Sequence, residues 1–360
     1  MPAPHELRAQ RLRRAGALWQ AGDLSGAAEV CLALARDEPA DPAPHHLLGG
    51  VCAQAGELAR AEEHYRRALA LAPGAAATRR ALGVLLLSQG RYAEGFRLWE
   101  ARHELAQYAK PDLPFPEWRG EDLAGRRLLV WPEQGFGDQI QFARFALTAR
   151  DRGAQVTLIC WPALERLFAQ SLDVEVIAAQ GEVRFPDPDY WTMAMSMADR
   201  LGLTAPEEVP GAPYLRAPAP PRSAALRVGV MTRGNPAYAA DRDRSLPAAA
   251  ADWLRSLPAE VVGLGPEETG ASDFAETARI VAGLDLVISV DTAVAHLAGA
   301  MGKPCWVLLP AANADWRWLR ERSDSPWYPS LRLYRQAAPG DWSAPLAALG
   351  RDFTAFAGRF

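Results

Sequence analysis

Three residues in the segment VISVDTAVAHLAGAMGKPCWVLLP, 287–310, have the types and spacing to hold an anion: Asp291, Thr292 and His296. They stand where the apolar run LVISV gives way to a stretch of small residues. The run predicts a buried strand. The small residues predict a helix that Gly302 closes, with Asp291 or Thr292 as its N-cap. Thr292 and His296 are four residues apart and share one helix face. The amino end of a helix carries unpaired N–H groups and a partial positive charge, which suits phosphate. Ala293 and Ala295 are small enough to let a ligand approach the backbone. The plainer alternative is a cap beside an ordinary histidine. The motif by itself leaves both open.

Two further stretches carry candidate chemistry. EQGFGDQIQFAR places Gln134, Gly135, Gly137 and Asp138 in a glycine turn behind the apolar run RLLVW, 127–131. Asp138 is there either a site carboxylate or the cap of a helix over 139–149. AADRDRSLP carries Arg242 and Arg244, with Arg233 and Asn235 just upstream in TRGN. The plain alternative for that stretch is an exposed charged loop.

The elements that must position these residues read as two α/β halves. RLLVW, QVTLIC and VEVI (174–177) predict buried parallel strands, with a helix between the first two that Gly153 ends. Residues 205–225 then hold six prolines, the mark of a connection between domains. A second α/β run starts at LRVGVMTRGNP and continues through AEVVGLG, DFAETARIVAGL, DLVISV and CWVLLP. Asp273 and Glu276 have capping-box spacing at the start of its helix. Alternating strands and helices argue for doubly wound parallel sheets, in which ligands sit at the carboxyl ends of the strands.

The first 110 residues follow a different rule. Gly22, Gly56 and Gly90 recur at 34-residue steps, as do Ala15, Gly49 and Gly83, and Ala27, Ala61 and Gly95. Large residues keep the same register: Leu18, Cys52 and Leu86, then Cys31, Tyr65 and Trp99. This period predicts pairs of helices stacked with small residues at the close approaches. Pro39 and Pro73 stand at the helix ends. Pro111, Pro114 and Pro116 forbid a helix from continuing into the next region.

Composition narrows the function classes. The 360 residues are 49% hydrophobic and 23% charged with net charge −4, as expected of a globular chain with no nucleic-acid partner. The arginines at 8, 11, 13 and 14 read as a solvated helix face. No apolar run reaches the ~18–20 residues of a membrane span, and the N-terminus lacks the apolar core of a signal peptide, so a cytoplasmic location is expected. Cys31, Cys52, Cys160 and Cys305 are spaced for neither disulfides nor zinc and read as buried thiols.

These motifs carry resemblances. HHLLGGVCAQAGELARAEEHYRRALALAP resembles the tetratricopeptide repeat, with about three repeats over 8–109. SVDTAVAHLAGAMGKPCWVLL is similar to the donor-phosphate motif of the heptosyltransferases, glycosyltransferase family 9, with Ala293 where that family has glycine. EQGFGDQIQFAR resembles the same family's glycine–aspartate loop. Together with GNPAYAADRDRS and DWRWLRERSDSPWYP, these stretches make nearly the whole chain similar to bacterial proteins that join such repeats to a family-9-like glycosyltransferase. The layout also resembles the eukaryotic O-linked N-acetylglucosamine transferase.

The resemblance implies a repeat array over 1–110 and a GT-B pair: an acceptor-side Rossmann-like domain, 122–215, and a nucleotide-sugar-binding one, 222–360. It implies a glycosyltransferase that moves a sugar from a nucleotide-sugar donor to an acceptor hydroxyl, inverting and independent of metal. Asp291, Thr292, Ala293 and His296 would hold the donor phosphate. Arg242 and Arg244, with Arg233, would offset charge on the leaving phosphate, and Asn235 would join them in binding the donor nucleotide. Asp138 would take the acceptor's proton. Gln134, Gly135 and Gly137 would line the cleft. No resident cofactor is implied, the nucleotide sugar being substrate, and the Asp-any-Asp pair of DRDR reads as a decoy rather than a manganese site. Trp316, Trp318, Trp327 and Tyr328 read as packing, with Asp315 and Asp324 as possible cleft residues. The repeats suggest a protein acceptor, flagellin or another surface protein. Rival readings are a lipopolysaccharide-type heptosyltransferase-like enzyme, a nucleotide-sugar epimerase, and a repeat adaptor with a degenerate transferase body. TRGN, Tyr238 and YWTMAMSMADRLGL depart from the related proteins at cleft positions, which points to a different substrate or reduced activity.

Overall fold

A computed structural model of the chain describes residues 4–221, 224–237 and 241–360. The chain forms two compact units, Met1–Pro111 and Asp112–Phe360.

The first unit consists of three helix pairs: α1 (Pro4–Gln20) with α2 (Leu24–Asp37), α3 (Pro42–Gln54) with α4 (Leu58–Leu71), and α5 (Ala76–Ser88) with α6 (Tyr92–Trp99). Each pair turns at a periodic glycine. Gly22, Gly56 and Gly90 have φ of 83°, 83° and 76°, a region that β-carbon-bearing residues avoid. The second set of small residues explains the packing. A Cβ on Gly49 would lie 2.5 Å from the Tyr65 ring, and one on Gly83 would lie 2.7 Å from the Trp99 backbone nitrogen. Ala15 and Cys31 occupy the equivalent places and share one core cluster. The same small-to-large contact, sixteen residues apart, therefore recurs in all three pairs. Arg11 pairs with the exposed Asp37, whereas Arg8 reaches the buried carboxylate of Asp41, so this charged face is only partly solvated.

The second unit contains two wholly parallel sheets. The first half runs β1 (Arg127–Trp131), α7 (Phe136–Asp151), β2 (Gln155–Cys160), α8 (Pro162–Ser171), β3 (Glu175–Ala178), β4 (Tyr190–Met193) and α9 (Met197–Arg200), with sheet order β3-β2-β1-β4. The second half runs β5 (Arg227–Met231), α10 (Asp241–Arg244), α11 (Ala248–Arg255), β6 (Glu260–Gly263), α12 (Pro266–Thr269), α13 (Phe274–Ala282), β7 (Leu286–Val290), α14 (Ala293–Ala300), β8 (Cys305–Leu309), β9 (Leu331–Arg335) and α15 (Ser343–Ala357). Its order is β6-β5-β7-β8-β9. Strands β7 and β8 are buried along their whole length, which is why they read as unbroken apolar runs. Leu226, Val228, Ile288 and Val290 meet Leu349 and Phe353 of α15 in the main core of this half.

Three features differ from the sequence expectation. Strands β4 and β9 were not foreseen. YWTM runs straight into a 3-10 turn, and LRLYR alternates with charge. The first half begins before residue 122: Trp118 N donates to Trp191 O at 2.8 Å and Trp191 N to Pro116 O at 3.1 Å, so 116–118 line the edge of its sheet. The proline-rich connection is anchored, since Tyr214 N and Leu215 N both donate to Ala300 O at the end of α14. All four cysteines are buried and unpaired, as the spacing implied. Among the described residues no helix is long and apolar enough to cross a membrane.

Candidate functional site

Two strand-to-helix corners meet in the second unit. After β1 the chain turns through Gln134, whose φ is 60°, and Gly135 takes the N-cap of α7. Helix α7 thus starts at Phe136, not at 139, and Asp138 lies within its first turn rather than at its cap. The glycine turn needs no side chain to cap it. Instead Asp138 reaches back, and its Oδ2 accepts from Gly135 N at 2.9 Å. After β7, Thr292 holds the N-cap position of α14 but makes no side-chain cap. Its hydroxyl is 3.1 Å from that of Ser289, turned toward the strand. The expectation that Asp291 or Thr292 caps this helix through its side chain is corrected: Ser289 competes for that hydroxyl. Gly137 brings the corners together, for a Cβ there would lie 2.8 Å from His296 Cδ2 and 3.5 Å from Ala293 Cα.

A third segment joins them. Asp315 accepts from Arg317 N at 2.9 Å and so caps the 3-10 turn Trp316–Trp318. The Arg317 guanidinium donates to Asp315 Oδ2 at 2.6 Å and to Asp138 Oδ1 at 2.5 Å. It lies 4.8 Å from the Trp316 ring centroid and 5.5 Å from that of Phe142, within cation–π range. Trp318 stacks on His296 with ring centroids 5.1 Å apart. His296 Nδ1 is 3.1 Å from the Tyr328 hydroxyl, and its Nε2 is 3.9 Å from Asp291 Oδ1. Arg244 donates to the Asp291 carbonyl at 2.7 Å and to Asp241 Oδ1 at 2.9 Å.

Burial sets the charge states. It raises the Asp138 carboxyl above its usual range, against the pull of Arg317. Burial, and then the charge of Asp315, pushes Asp291 up to about 6. Burial, with Arg317, Arg144 and Arg244 adding to it, holds His296 well below its ordinary value, so its imidazole is neutral. Burial works against the Arg317 charge, but Asp315 and Asp138 outweigh it and keep the guanidinium protonated.

The structure brings together Asp138, Gly137, Asp291, Thr292, Ala293, His296 and Arg244. Gln134 and Gly135 form the turn before α7, where the Gln134 carbonyl accepts from Trp161 Nε1 at 2.9 Å. Arg242 is not brought in: its side chain is 79% exposed and faces its neighbour Asp243. The short helix α10 turns Arg244 inward and Arg242 outward. Arg233 and Asn235 are exposed, and Asn235 Oδ1 closes a local turn by accepting from Ala237 N. Tyr238 lies outside the described residues. Asp241 bonds Arg244 and Ser245, and Asp243 accepts from Asn313, so protein partners engage both carboxylates of the Asp-any-Asp pair. Among the described residues no group of three or more His, Cys, Asp or Glu side chains is placed to hold a metal ion. Asp315 belongs to the cluster. Asp324 does not: its exposed carboxylate pairs with Arg322. Trp316, Trp318, Trp327 and Tyr328 are all buried, in keeping with the packing reading.

Two arginines escaped the sequence reading. Arg317 was hidden between two tryptophans, although a cation two residues after Asp315 in an apolar run was the available signal. Arg144 is 1% exposed and donates to Gln141 O, Pro210 O, Trp327 O and the Tyr214 hydroxyl at 2.8–3.1 Å. It ties α7 to the proline-rich connection and to the aromatic segment.

Residues 42–75 match the tetratricopeptide repeat family, and residues 251–309 match glycosyltransferase family 9 (heptosyltransferase). Segments of the chain thus match a tetratricopeptide repeat and glycosyltransferase family 9. The chain is 27% identical over 333 residues to Protein FlbA of Caulobacter vibrioides, across 76% of this chain and 55% of that relative. It thus spans about half the length of the curated relative it matches. Among solved structures, a glycosyl transferase family 9 protein of Veillonella parvula is similar at 12% identity and a TM-score of 0.42, over 66% of this chain and 91% of the other. A variant O-GlcNAc transferase of Thermobaculum terrenum is similar at 16% identity and a TM-score of 0.28, over 88% and 84%.

Proposed function

We propose that the protein is an inverting glycosyltransferase that moves a sugar from a nucleotide-sugar donor to an acceptor hydroxyl without a metal ion. One observation carries the reading. The two sequence motifs, 153 residues apart, meet as facing helix starts, with Gly137 against His296 and Ala293. The amino end of α14 receives the donor's diphosphate, where its uncapped N–H groups and a neutral His296 offer donors. Arg244, fixed against the Asp291 carbonyl, supplies positive charge beside it. Asp138 takes the acceptor's proton. A carboxyl lifted by burial is a stronger base than an exposed one, which suits that task. The acceptor oxygen then bonds to the anomeric carbon from the face opposite the diphosphate, and the diphosphate leaves with the electron pair. The repeats, whose periodic glycines are structural, serve to dock a protein acceptor.

A thermal-shift screen with UDP, GDP, ADP, CMP and dTDP tests the donor site. A ligand at 100 times its dissociation constant adds about 2.7 kcal/mol, enough to read clearly. One nucleotide should raise the melting temperature of the wild type and fail to do so in a Thr292→Val, His296→Ala variant. No shift with any of the five would reject the reading.

A further inference from the structure

The single guanidinium of Arg317 is shared between two carboxylates and still has a donor unspent. Its side chain is 5% exposed, and it faces Asp138 at 2.5 Å and Asp315 at 2.6 Å. Its Nε is buried with no hydrogen-bond partner among the described residues. The Asp315 bond is doubled, through the guanidinium and through Arg317 N, so the arm is fixed on that side. The Asp138 bond is single and uses Nη2. Trp318, the next residue, stacks on His296, and the Arg317 charge acts on both Asp291 and His296, so the guanidinium lies near the start of α14. A diphosphate seated there would find an always-charged, planar donor already committed to a carboxylate. A guanidinium N–H bonds a phosphate oxygen at least as well as a carboxylate oxygen, so Nη2 can exchange one for the other.

We infer that Arg317 is a latch between Asp138 and the donor, an inference that rests on the reading of Asp138 as base and α14 as the diphosphate seat. Without donor, Arg317 holds Asp138 Oδ1. When the diphosphate arrives, Nη2 transfers to a phosphate oxygen while Nη1 stays on Asp315. Asp138 then keeps only its Gly135 N–H bond and presents Oδ1 to the acceptor hydroxyl. The acceptor proton passes to that oxygen, the new glycosidic bond forms, and the sugar–diphosphate bond breaks with its electron pair on the leaving phosphate. Arg317 stays protonated throughout. The base is thereby released only when a donor is in place, which ties deprotonation of the acceptor to donor binding. Arg317 acts on phosphate directly and on Asp138 as a positioning residue.

A double-mutant cycle on nucleotide affinity tests this. Dissociation constants for UDP, GDP, ADP, CMP and dTDP are measured calorimetrically for the wild type, Asp138→Asn, Arg317→Gln and the double variant. For the nucleotide that the wild type binds, Asp138→Asn should tighten binding about fivefold, because the guanidinium no longer has to leave a carboxylate. Arg317→Gln should weaken it at least about tenfold. In the Arg317→Gln background, Asp138→Asn should change affinity less than about twofold. If Asp138→Asn tightens binding equally in both backgrounds, simple repulsion between carboxylate and phosphate explains the gain and the latch falls. If Asp138→Asn does not tighten binding, the latch falls as well. Where circular dichroism shows Arg317→Gln unfolded, Arg317→Lys takes its place in the cycle. Lysine keeps the charge but not the two-pronged grip, and the gain from Asp138→Asn should shrink at least twofold in its background; an undiminished gain would overturn the latch. Failure of the wild type to bind any of the five nucleotides would remove the donor reading together with the latch, whereas binding without coupling would remove the latch alone.

Discussion

The corner between β1 and α7 and the corner between β7 and α14 follow one plan, a buried strand turning into a helix amino end, but they satisfy the turn differently. At the first, Asp138 folds back on Gly135 N, and the neighbouring Gly135 and Phe136 are exposed. At the second, the surroundings are mostly buried, the cap position makes no side-chain bond, and the one hydroxyl at hand turns back to Ser289. The difference divides the labour. An uncapped helix start in a buried setting suits an anion. At the other start the Asp138 carboxylate, folded back on the Gly135 N–H, disfavours an anion and is placed to serve as a base instead. Arg317 bridges from the second half to that carboxylate.

Removing the carboxylate should have the largest effect. Asp138→Asn keeps the shape and should lower the transfer rate about 10²–10⁴-fold while nucleotide binding persists. Loss of binding along with rate would mean that the two corners do not divide the work. Gly137→Ala comes next. Alanine gains about 0.5–1 kcal/mol of helix propensity over glycine. Overpacking costs about 1–3 kcal/mol, and His296 has little room to yield because Trp318 stacks on it. The steric term wins, so melting temperature should fall and transfer should drop about 10²-fold as the corners are pushed apart.

Asp291 sharpens the comparison through pH. Its folded pKa of about 6 lies above the ordinary 3.8, so between those values the folded state binds more protons than the unfolded one. Its contribution to stability is therefore present at low pH and lost as pH rises from about 4 to about 6. Asp291→Asn removes that loss. The melting temperature of the wild type, relative to the variant, should fall across this window and level off above it. A flat difference would show that Asp291 is not held in the buried, like-charged setting beside Asp315. The smallest effect belongs to Gly135→Ala. Its φ of −86° suits any residue, and the nearest atom to an added Cβ is Asp138 Oδ2 at 3.4 Å. Stability should change by no more than about 0.5 kcal/mol in a melting curve, in contrast to Gly137→Ala two residues on.

Much of the architecture was legible because periodic packing leaves periodic residues. The 34-residue glycines mark left-handed turns and helix contacts, and RLLVW, QVTLIC and DLVISV lie at the strands they predicted. Strands β4 and β9 were not legible, since short strands with mixed polarity carry little pattern. The proline-rich connection was visible as a connection, but nothing in its composition told that Tyr214 and Leu215 would bond to Ala300.

The site divides along the same line. Local sequence located the two corners: where each strand ends, and that Asp138, Thr292 and His296 stand near the starts of helices. These are matters of backbone conformation and spacing, which a few neighbouring residues decide. Which charges meet was left to the tertiary structure. Arg242 and Arg244 look alike in the chain, yet one turn of helix sends Arg244 to the Asp291 carbonyl and leaves Arg242 in solvent. Arg317 and Asp138 are 179 residues apart and form a 2.5 Å ion pair. Such a contact depends on how two sheets and an aromatic segment pack, and it takes its strength from the burial that this packing creates.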